Sequence, residues 1–279
     1  MFIYLNGQFL EKEKAMISPF DHGYIYGIGV FETFRTYDGH PFLLKEHLDR
    51  LNAGLKEMLI NRKFEYEEVL KIIEKLSDLN GWKDSYIRFN VSAGIGEIGL
   101  QTEPYESPTV IMFQKPLPPV DVVIEKEAVI LEIARNSPET AYRLKSHHFF
   151  NNVAAKREIG SDTSKEGFFL TEKGFIAEGV TSNVFWVENG VLYTPAIETG
   201  ILNGITRQFV MKLAQHAGML VEEGFYETDA LIKADEIFIT NSVQEIVPVK
   251  KMEGKSYPSK NGEYFNKLSK MYKNKLILR

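Results

Sequence analysis

The sequence contains no cysteine. This absence excludes disulfide bonds, cysteine-ligated zinc, iron–sulfur clusters and thiol nucleophiles, and it is typical of a protein in a reducing compartment. No apolar run approaches the roughly 18–20 residues that span a bilayer. The first residues also lack the basic and apolar segments of a signal peptide. We therefore expect a soluble, cytoplasmic protein that does not associate with membranes.

Basic residues are not in excess. The 279 residues include 33 Lys and Arg against 38 Asp and Glu, which gives a formal net charge of −5. Because no segment concentrates the basic residues, binding to nucleic acid through phosphate neutralisation is not expected. Hydrophobic residues make up 44% and charged residues 25% of the chain, which is a globular composition of sufficient length for two domains.

Turn dipeptides divide the chain into short strands and amphipathic helices. Asn6-Gly7 predicts a hairpin that joins residues 2–5 to residues 8–10. Leucines at helical spacing from Leu44 to Leu59, and apolar residues from Val69 to Leu79, predict two helices. Further strands are expected at 30–37, 86–92, 109–114, 122–134 and 236–240, and further helices at 206–217 and from residue 263.

A proline-rich segment lies near the middle of the chain. Lys115-Pro116-Leu117-Pro118-Pro119 cannot continue a helix or a central strand, so it predicts a stiff linker over residues 116–121. We therefore predict a mixed α/β fold of two domains, with boundaries at 1–115 and 122–279. The second of these carries Lys145.

Two short motifs are expected to carry no chemistry. Gly94-Ile95-Gly96-Glu97-Ile98-Gly99 matches the dinucleotide-binding pattern, but the residues that follow do not predict the helix that such a site requires. His147-His148 suggests a metal, yet adjacent histidines on regular structure point in different directions and no HExxH pattern completes a site. We therefore predict a loop at the first motif, ordinary polar residues at the second, and no metal.

Three features could bind a cofactor beside a reactive lysine. Lys145 would be a nucleophile or base if its surroundings lowered its pKa, and otherwise a solvated charge. Thr199–Arg207 is a glycine-bearing turn that leads into a helix, which is either a phosphate cradle or an ordinary capped helix. Ser242 follows a strand, and Glu178 is either a ligand of a cofactor's ring nitrogen or an exposed strand-end carboxylate.

Taken together, the ordered motifs of the chain resemble those of the fold-type IV pyridoxal-phosphate enzymes, which include branched-chain and D-amino acid aminotransferases and aminodeoxychorismate lyases. The resemblance covers nearly the whole length, and within the family it is similar to aminodeoxychorismate lyases of the Bacillus type. It is carried by Ser18–Gly23, Tyr26–Thr33, Glu46–Leu51, Arg143–Asn152, Ala177–Gly179, Ser182–Trp186 and Gly200–Arg207.

The resemblance implies pyridoxal 5'-phosphate as the cofactor and a role for each matching residue. Lys145 would form the covalent link to the cofactor and move the proton, and Glu178 would pair with the pyridine nitrogen. Arg50 would bind the phosphate, although its spacing alone places it on the polar face of a helix. The remaining implied roles are phosphate binding for Ile205, Thr206 and Ser242, and a positioning role for Thr33.

The resemblance further implies an α/β architecture like that of D-amino acid aminotransferases, a homodimer, and the conversion of 4-amino-4-deoxychorismate to 4-aminobenzoate and pyruvate for folate synthesis. D-amino acid aminotransferases carry an arginine where Ala93 stands and a tyrosine where Phe31 stands, which favours the lyase. The alternatives are an aminotransferase acting on D- or branched-chain amino acids and a non-catalytic binding protein. The presence of Lys145, Glu178, Arg50 and Thr206 together argues against the latter.

Overall fold

A computed structural model of the chain describes residues 1–118 and 123–277. It divides into two compact units, the first formed by Met1–Pro119 with Leu144–His148 and the second by Val120–Arg143 with Phe149–Arg279. No helix in the described ranges is long and apolar enough to cross a membrane. Residues 119–121 of the expected linker lie outside the described residues, and Pro116 is the last residue of a strand.

The first unit is a six-stranded sheet, in the order β2-β1-β6-β5-β3-β4, with two long helices packed on it. Its elements are β1 (Phe2–Leu5), β2 (Gln8–Glu11), α1 (His22–Ile25), β3 (Gly29–Tyr37), β4 (His40–Pro41), α2 (Leu44–Glu57), α3 (Tyr66–Asn80), β5 (Ser85–Ser92) and β6 (Thr109–Pro116).

Local sequence signals explain two boundaries of the first unit. Asn6 and Gly7 both have positive φ and join β1 to β2 in the predicted hairpin. Gly81 ends α3 in the left-handed conformation, with its N–H donated to the Ser77 carbonyl. The prediction for α2 was wrong at its end: Leu59 has a φ of 53° and is exposed, and Ile60 is buried instead. The chain therefore leaves the helix earlier than the leucine spacing predicts.

The second unit contains a nine-stranded sheet with four helices around it in the described ranges. The strand order is β12-β11-β10-β13-β14-β7-β8-β9, with β15 paired to β14. The elements are β7 (Lys126–Ile130), α4 (Phe150–Ile159), β8 (Lys165–Leu170), β9 (Ile176–Gly179), β10 (Asn183–Glu188), β11 (Val191–Pro195), α5 (Ile205–His216), β12 (Val221–Gly224), α6 (Thr228–Lys233), β13 (Glu236–Asn241), β14 (Glu245–Met252), β15 (Lys255–Ser256) and α7 (Glu263–Ile277).

Strand β7 is shorter than the predicted 122–134, of which residue 122 is not described. The Leu131 N–H still donates to the Phe168 carbonyl of β8, but the amides of Glu132 and Ile133 donate to the Glu158 carboxylate of α4, which ends the strand pairing. Strands β7 and β8 are parallel, so the chain between them is a crossover that includes α4. This crossover carries Arg135, Arg143 and Lys145.

The segment Leu144–His148 belongs to the first unit, whereas the sequence-based boundaries place Lys145 in the domain after the linker. The reason is backbone pairing with β3: Phe31 N–H donates to the Lys145 carbonyl, and His147 N–H donates to the Gly29 carbonyl, both at 2.9 Å. Long-range pairing of this kind leaves no local signal in the sequence. The short segment thus forms an isolated antiparallel bridge with β3, between Val30 and Ser146.

Candidate active site

Strand β3 presents different side chains to its two faces, because alternate residues of a strand point in opposite directions. Glu32 and Phe34 face α2, where both contact His47. Phe31 faces the other way, together with the half-buried Thr33. Thr33 is opposite Arg88 of β5 in the backbone register of the sheet. The two faces therefore carry different candidate residues, although Lys145 lies close enough to His47 for the two to interact electrostatically.

Lys145 lies in the cluster on the Phe31 face. Its Nζ is 4.7 Å from the centroid of the Phe31 ring, and the guanidinium carbon of Arg88 is 3.7 Å from the same centroid. Two cations against one aromatic ring form cation–π contacts, which hold each long side chain in place. The structure thus brings Lys145, Arg88 and Phe31 together, and of these three only Lys145 is a predicted catalytic residue.

His147 belongs to the same cluster. Its ring is stacked on Phe31, and its Nε2 is buried without a hydrogen-bond partner among the described residues. Burial, followed by the charge of Arg88, lowers the pKa of His147 to about 4. The imidazole is therefore neutral at pH 7. In the described ranges, no group of three or more His, Cys, Asp or Glu residues is arranged to hold a metal ion.

Arg50 lies on the α2 side of β3, in a buried ion pair that the sequence does not predict. Its Nε and one terminal nitrogen donate to the two oxygens of Glu32, each at 2.7 Å. His47 Nδ1 donates to the same carboxylate at 2.6 Å. Both Glu32 and His47 are 1% exposed. Arg50 is therefore half-buried and fixed in direction, where helical spacing alone predicts a surface residue.

The charges around Glu32 set its protonation. Burial raises the pKa of Glu32, but Arg50 and then His47 outweigh it and hold that pKa at about 2. Burial lowers the pKa of His47, and the adjacent Glu32 only partly opposes this. At pH 7 the cluster therefore holds an ionised Glu32 against the Arg50 guanidinium.

This ion pair is expected to make the protein sensitive to acid. Because the folded pKa of Glu32 is lower than its ordinary value, its contribution to stability is present above pH 4.5 and is lost as the pH falls towards 2. We expect Glu32→Gln to be less stable than wild type at pH 7. The difference in the free energy of unfolding should shrink by about 2 kcal/mol between pH 4.5 and pH 2.5. Urea unfolding across this range measures it; a constant difference would contradict the assignment.

Glu178 lies one residue before the end of β9 in the second unit and is 4% exposed. Its Oε1 accepts a hydrogen bond from Arg135 Nε at 2.8 Å and lies 3.8 Å from Arg143 Nε. Its Oε2 accepts from the backbone N–H of Leu202 at 3.0 Å. Burial, and then the charge of Arg135, lower the pKa of Arg143 to about 10, so it remains charged at pH 7. Glu178 is therefore a buried carboxylate that is hydrogen-bonded to the Arg135 guanidinium and has the Arg143 guanidinium nearby; it is not an exposed strand end.

The turn before α5 is built for close backbone approach. Asn183 Nδ2 donates to the Leu202 carbonyl at 2.9 Å, and a Cβ at Gly204 would stand 2.0 Å from Asn183 Oδ1. Gly204 is the N-cap of α5, and no side chain caps that end. The N–H groups of Ile205 and Thr206 therefore begin the helix without intrahelical partners. Unpartnered N–H groups at a helix start are a feature that anion-binding sites use, and the phosphate cradle itself stays a prediction.

Two of the predicted phosphate ligands meet at this helix end. Thr206 Oγ1 and Ser242 Oγ are 3.2 Å apart, which brings the start of α5 and the end of β13 together. The hydroxyls, the free helix N–H groups and the oriented Glu178 carboxylate all lie in the second unit, while Lys145, Thr33 and Arg50 lie in the first. The donor set of the second unit suits an anionic group and the N–H of an aromatic ring.

The interactions that the sequence did not predict are those of Glu32, His47, Arg88 and Arg135. A signal for the first two is present: Glu32 occupies an inward position of an alternating strand, and His47 and Arg50 are three residues apart on one helix face. Nothing local indicates that Arg135 reaches Glu178, which is 43 residues away. The contacts of Arg88 and Arg135 therefore become apparent only in the folded structure.

The sequence profile of the amino-transferase class IV family matches residues 29–252. The chain is 48% identical to an aminodeoxychorismate lyase of Bacillus subtilis, over 98% of this chain and 94% of the relative. It is 39% identical to a putative branched-chain-amino-acid aminotransferase of Methanocaldococcus jannaschii, over 98% of this chain and 96% of the relative.

Solved structures give the same result. A branched-chain amino acid aminotransferase from T.th., complexed with N-(5'-phosphopyridoxyl)-L-glutamate, superposes with a TM-score of 0.87 at 28% identity. The superposition covers 99% of this chain and 93% of that one. The family profile, the sequence identity and the architecture therefore agree, and they confirm the predicted fold class. This chain belongs to the class IV aminotransferase family.

Proposed function

We propose that the protein is a pyridoxal-phosphate-dependent lyase that converts 4-amino-4-deoxychorismate to 4-aminobenzoate and pyruvate. The observation that carries this proposal is the 48% identity, over nearly the full length, to a lyase of that name. The proposal extends, on the resemblance alone, to a homodimeric enzyme and to 4-aminobenzoate as a precursor in folate synthesis. The bond cleaved is the carbon–oxygen bond between the ring and the enolpyruvyl group.

The residues present fit pyridoxal phosphate. The uncapped start of α5 and the adjacent hydroxyls of Thr206 and Ser242 suit a phosphate, and the buried Glu178 suits a ring N–H. When bound, the cofactor supplies an electron sink that accepts the electron pair of a broken C–H bond. Lys145 is the residue proposed to hold it covalently. The relative of known structure is complexed with a phosphopyridoxyl compound, which supports this choice of cofactor.

Lys145 is proposed as the general base and then the general acid. Its Nζ, freed when the substrate amine takes its place on the cofactor, would take the proton from the substrate carbon that bears the amine, and would return a proton to the methylene carbon of the departing enolpyruvate. One proton is thus moved, the carbon–oxygen bond breaks, and the ring becomes aromatic. The balance requires no oxidant or co-substrate. The backbone pairing of Lys145 with β3 supports this role, since it fixes the base of the side chain.

The other predicted residues are proposed to bind and orient. Arg50 would bind the phosphate with its guanidinium held in direction by Glu32, and Ile205, Thr206 and Ser242 would supply N–H and hydroxyl donors. Thr33 shares the face of β3 that carries Phe31 and is proposed to position the acid–base step. These assignments follow the resemblance, and the local geometry of each unit supports them.

Aminotransferase activity is the second candidate, because the putative branched-chain aminotransferase of M. jannaschii is 39% identical. Ala93 is relevant to whether such an aminotransferase would act on D-amino acids. It is 1% exposed and packs in the core of the first unit, so no cation occupies the position where D-amino acid aminotransferases carry an arginine. This observation favours the lyase over a D-amino acid aminotransferase.

The test is a two-armed product assay with the cofactor-loaded protein. In one arm, 4-amino-4-deoxychorismate should yield 4-aminobenzoate and pyruvate in equal amounts. In the other, D-alanine or L-leucine with 2-oxoglutarate should yield no glutamate above that of a Lys145→Ala control. Glutamate formation without 4-aminobenzoate would overturn the lyase and establish the aminotransferase. If neither arm forms product although the cofactor is bound, a non-catalytic binding protein is favoured.

A further inference from the structure

The carboxylate of Glu178 is held at both oxygens. Arg135 Nε donates to Oε1 at 2.8 Å, while Leu202 N–H donates to Oε2 at 3.0 Å and Asn183 Nδ2 lies 3.5 Å from the same oxygen. A carboxylate has about four acceptor positions, so these donors fix its plane while leaving Oε1 able to accept another. Arg135 is the charged donor of this set.

Arg135 is itself fixed from its far side. It is 7% exposed, and its Nη1 donates to Asn151 Oδ1 at 2.6 Å and to Asn152 Oδ1 at 3.2 Å. Asn151 in turn donates to the Ala134 carbonyl, and the Arg135 guanidinium lies 5.0 Å from the Phe169 ring centroid. The start of α4 therefore holds Arg135, and Arg135 holds Glu178.

This arrangement differs from an ordinary stabilising ion pair in the same unit. Arg207 of α5 pairs with Glu223 of β12, whose side chain is 39% exposed, and the same guanidinium donates to the Pro195 carbonyl. That pair ties a helix to a strand. The pair of Arg135 and Glu178 is buried on both sides, at 6% exposure for each side chain, and it includes the carboxylate proposed to meet the cofactor.

We propose that Arg135 is a positioning residue for the reaction: it fixes the orientation of the Glu178 carboxylate and thereby determines how strongly Glu178 holds the N–H of the cofactor ring. The inference rests on the proposed function of Glu178. A misplacement of about 1 Å at a reacting group costs on the order of a hundredfold in rate. Loss of the planar guanidinium should therefore lower the reaction rate by displacing Glu178. Arg135 itself is not proposed to contact the substrate.

The test uses protein loaded with pyridoxal phosphate labelled with nitrogen-15 in the ring. The nitrogen-15 chemical shift reports directly whether the ring nitrogen carries a proton. In Arg135→Gln we expect this shift to move towards the unprotonated value, and kcat to fall about tenfold to a hundredfold with little change in KM. Arg135→Lys keeps the charge but not the planar donor set, so it should lie between Arg135→Gln and wild type.

Glu223→Gln is the matched control, because it breaks a buried-arginine ion pair of the same unit away from Glu178. It should lower Tm and leave the nitrogen-15 shift at the wild-type value. If both Arg135 variants lower Tm but keep the wild-type shift, Arg135 is structural only and the inference is wrong. If wild type forms no 4-aminobenzoate while the shift still follows Arg135, the proposed lyase fails and the positioning role stands.

Discussion

Replacing Lys145 with alanine is expected to lower turnover of 4-amino-4-deoxychorismate at least about a thousandfold, because the proposed base, acid and covalent anchor are all lost together. The fold should survive the change. Lys145 is half-buried, and its main-chain hydrogen bonds to β3 do not depend on the side chain. Tm should therefore stay close to that of the wild type.

The covalent link gives a readout that is independent of turnover. Borohydride reduction followed by digestion should give one cofactor-modified peptide, which contains residue 145, and Lys145→Ala should give none. Lys156→Ala removes an exposed lysine of α4 and is the matched control, expected to keep the modified peptide and the activity. Wild-type labelling of Lys145→Ala would show that another lysine holds the cofactor.

The sequence predicted the elements whose signals are local. Asn6-Gly7 requires positive φ and folds as a hairpin, and the apolar spacing of α3 with Gly81 after it gives a helix that ends where expected. The prediction failed where tertiary contacts take over. Leu59 continues the leucine spacing of α2 but turns left-handed, and β7 ends early because the amides that follow bind Glu158.

The candidate site shows the same division. Lys145, Glu178 and Thr206 are recognisable from motifs, because each lies in a short run of residues characteristic of the family. Their partners come from distant segments: Glu32 reaches Arg50 from another element, and Arg135 reaches Glu178 across 43 residues. The helical periodicity predicts a polar surface position for Arg50, because it reflects only the helix itself. It contains no information about the buried Glu32 carboxylate on β3. Sequence motifs thus point to the groups proposed to react, and folding brings the charged partners beside them.

Replacing Glu178 with glutamine is expected to lower kcat at least about a hundredfold, because a neutral amide no longer supplies the negative charge proposed to hold the cofactor's ring N–H. KM should change less, since the carboxylate is not proposed to contact substrate. Stability should fall as well. The substitution leaves Arg135 in a buried position without its ionised partner, and breaking a buried ion pair costs on the order of 3 kcal/mol.

The effects of Glu178→Gln on kcat and on stability can be separated with a control substitution at a neighbouring buried carboxylate. Glu166 is 8% exposed and accepts hydrogen bonds from Ser182 Oγ and the Val180 N–H, in the turn that follows Glu178. Burial raises the pKa of Glu166, although Ser182 and Lys126 oppose the rise, so the neutral form costs less there than at an exposed carboxylate. Glu166→Gln should therefore keep kcat within a few fold of wild type.

The comparison is made by measuring kcat, KM and Tm for both variants with cofactor in excess. If Glu178→Gln loses activity only in proportion to the cofactor it fails to retain, the carboxylate serves binding and not the electron sink. If Glu166→Gln loses as much kcat as Glu178→Gln, the turn after β9 is merely sensitive to any change. A large fall in kcat at full cofactor occupancy, confined to Glu178→Gln, leaves the charge of Glu178 as the cause, because shape and burial are preserved in both variants.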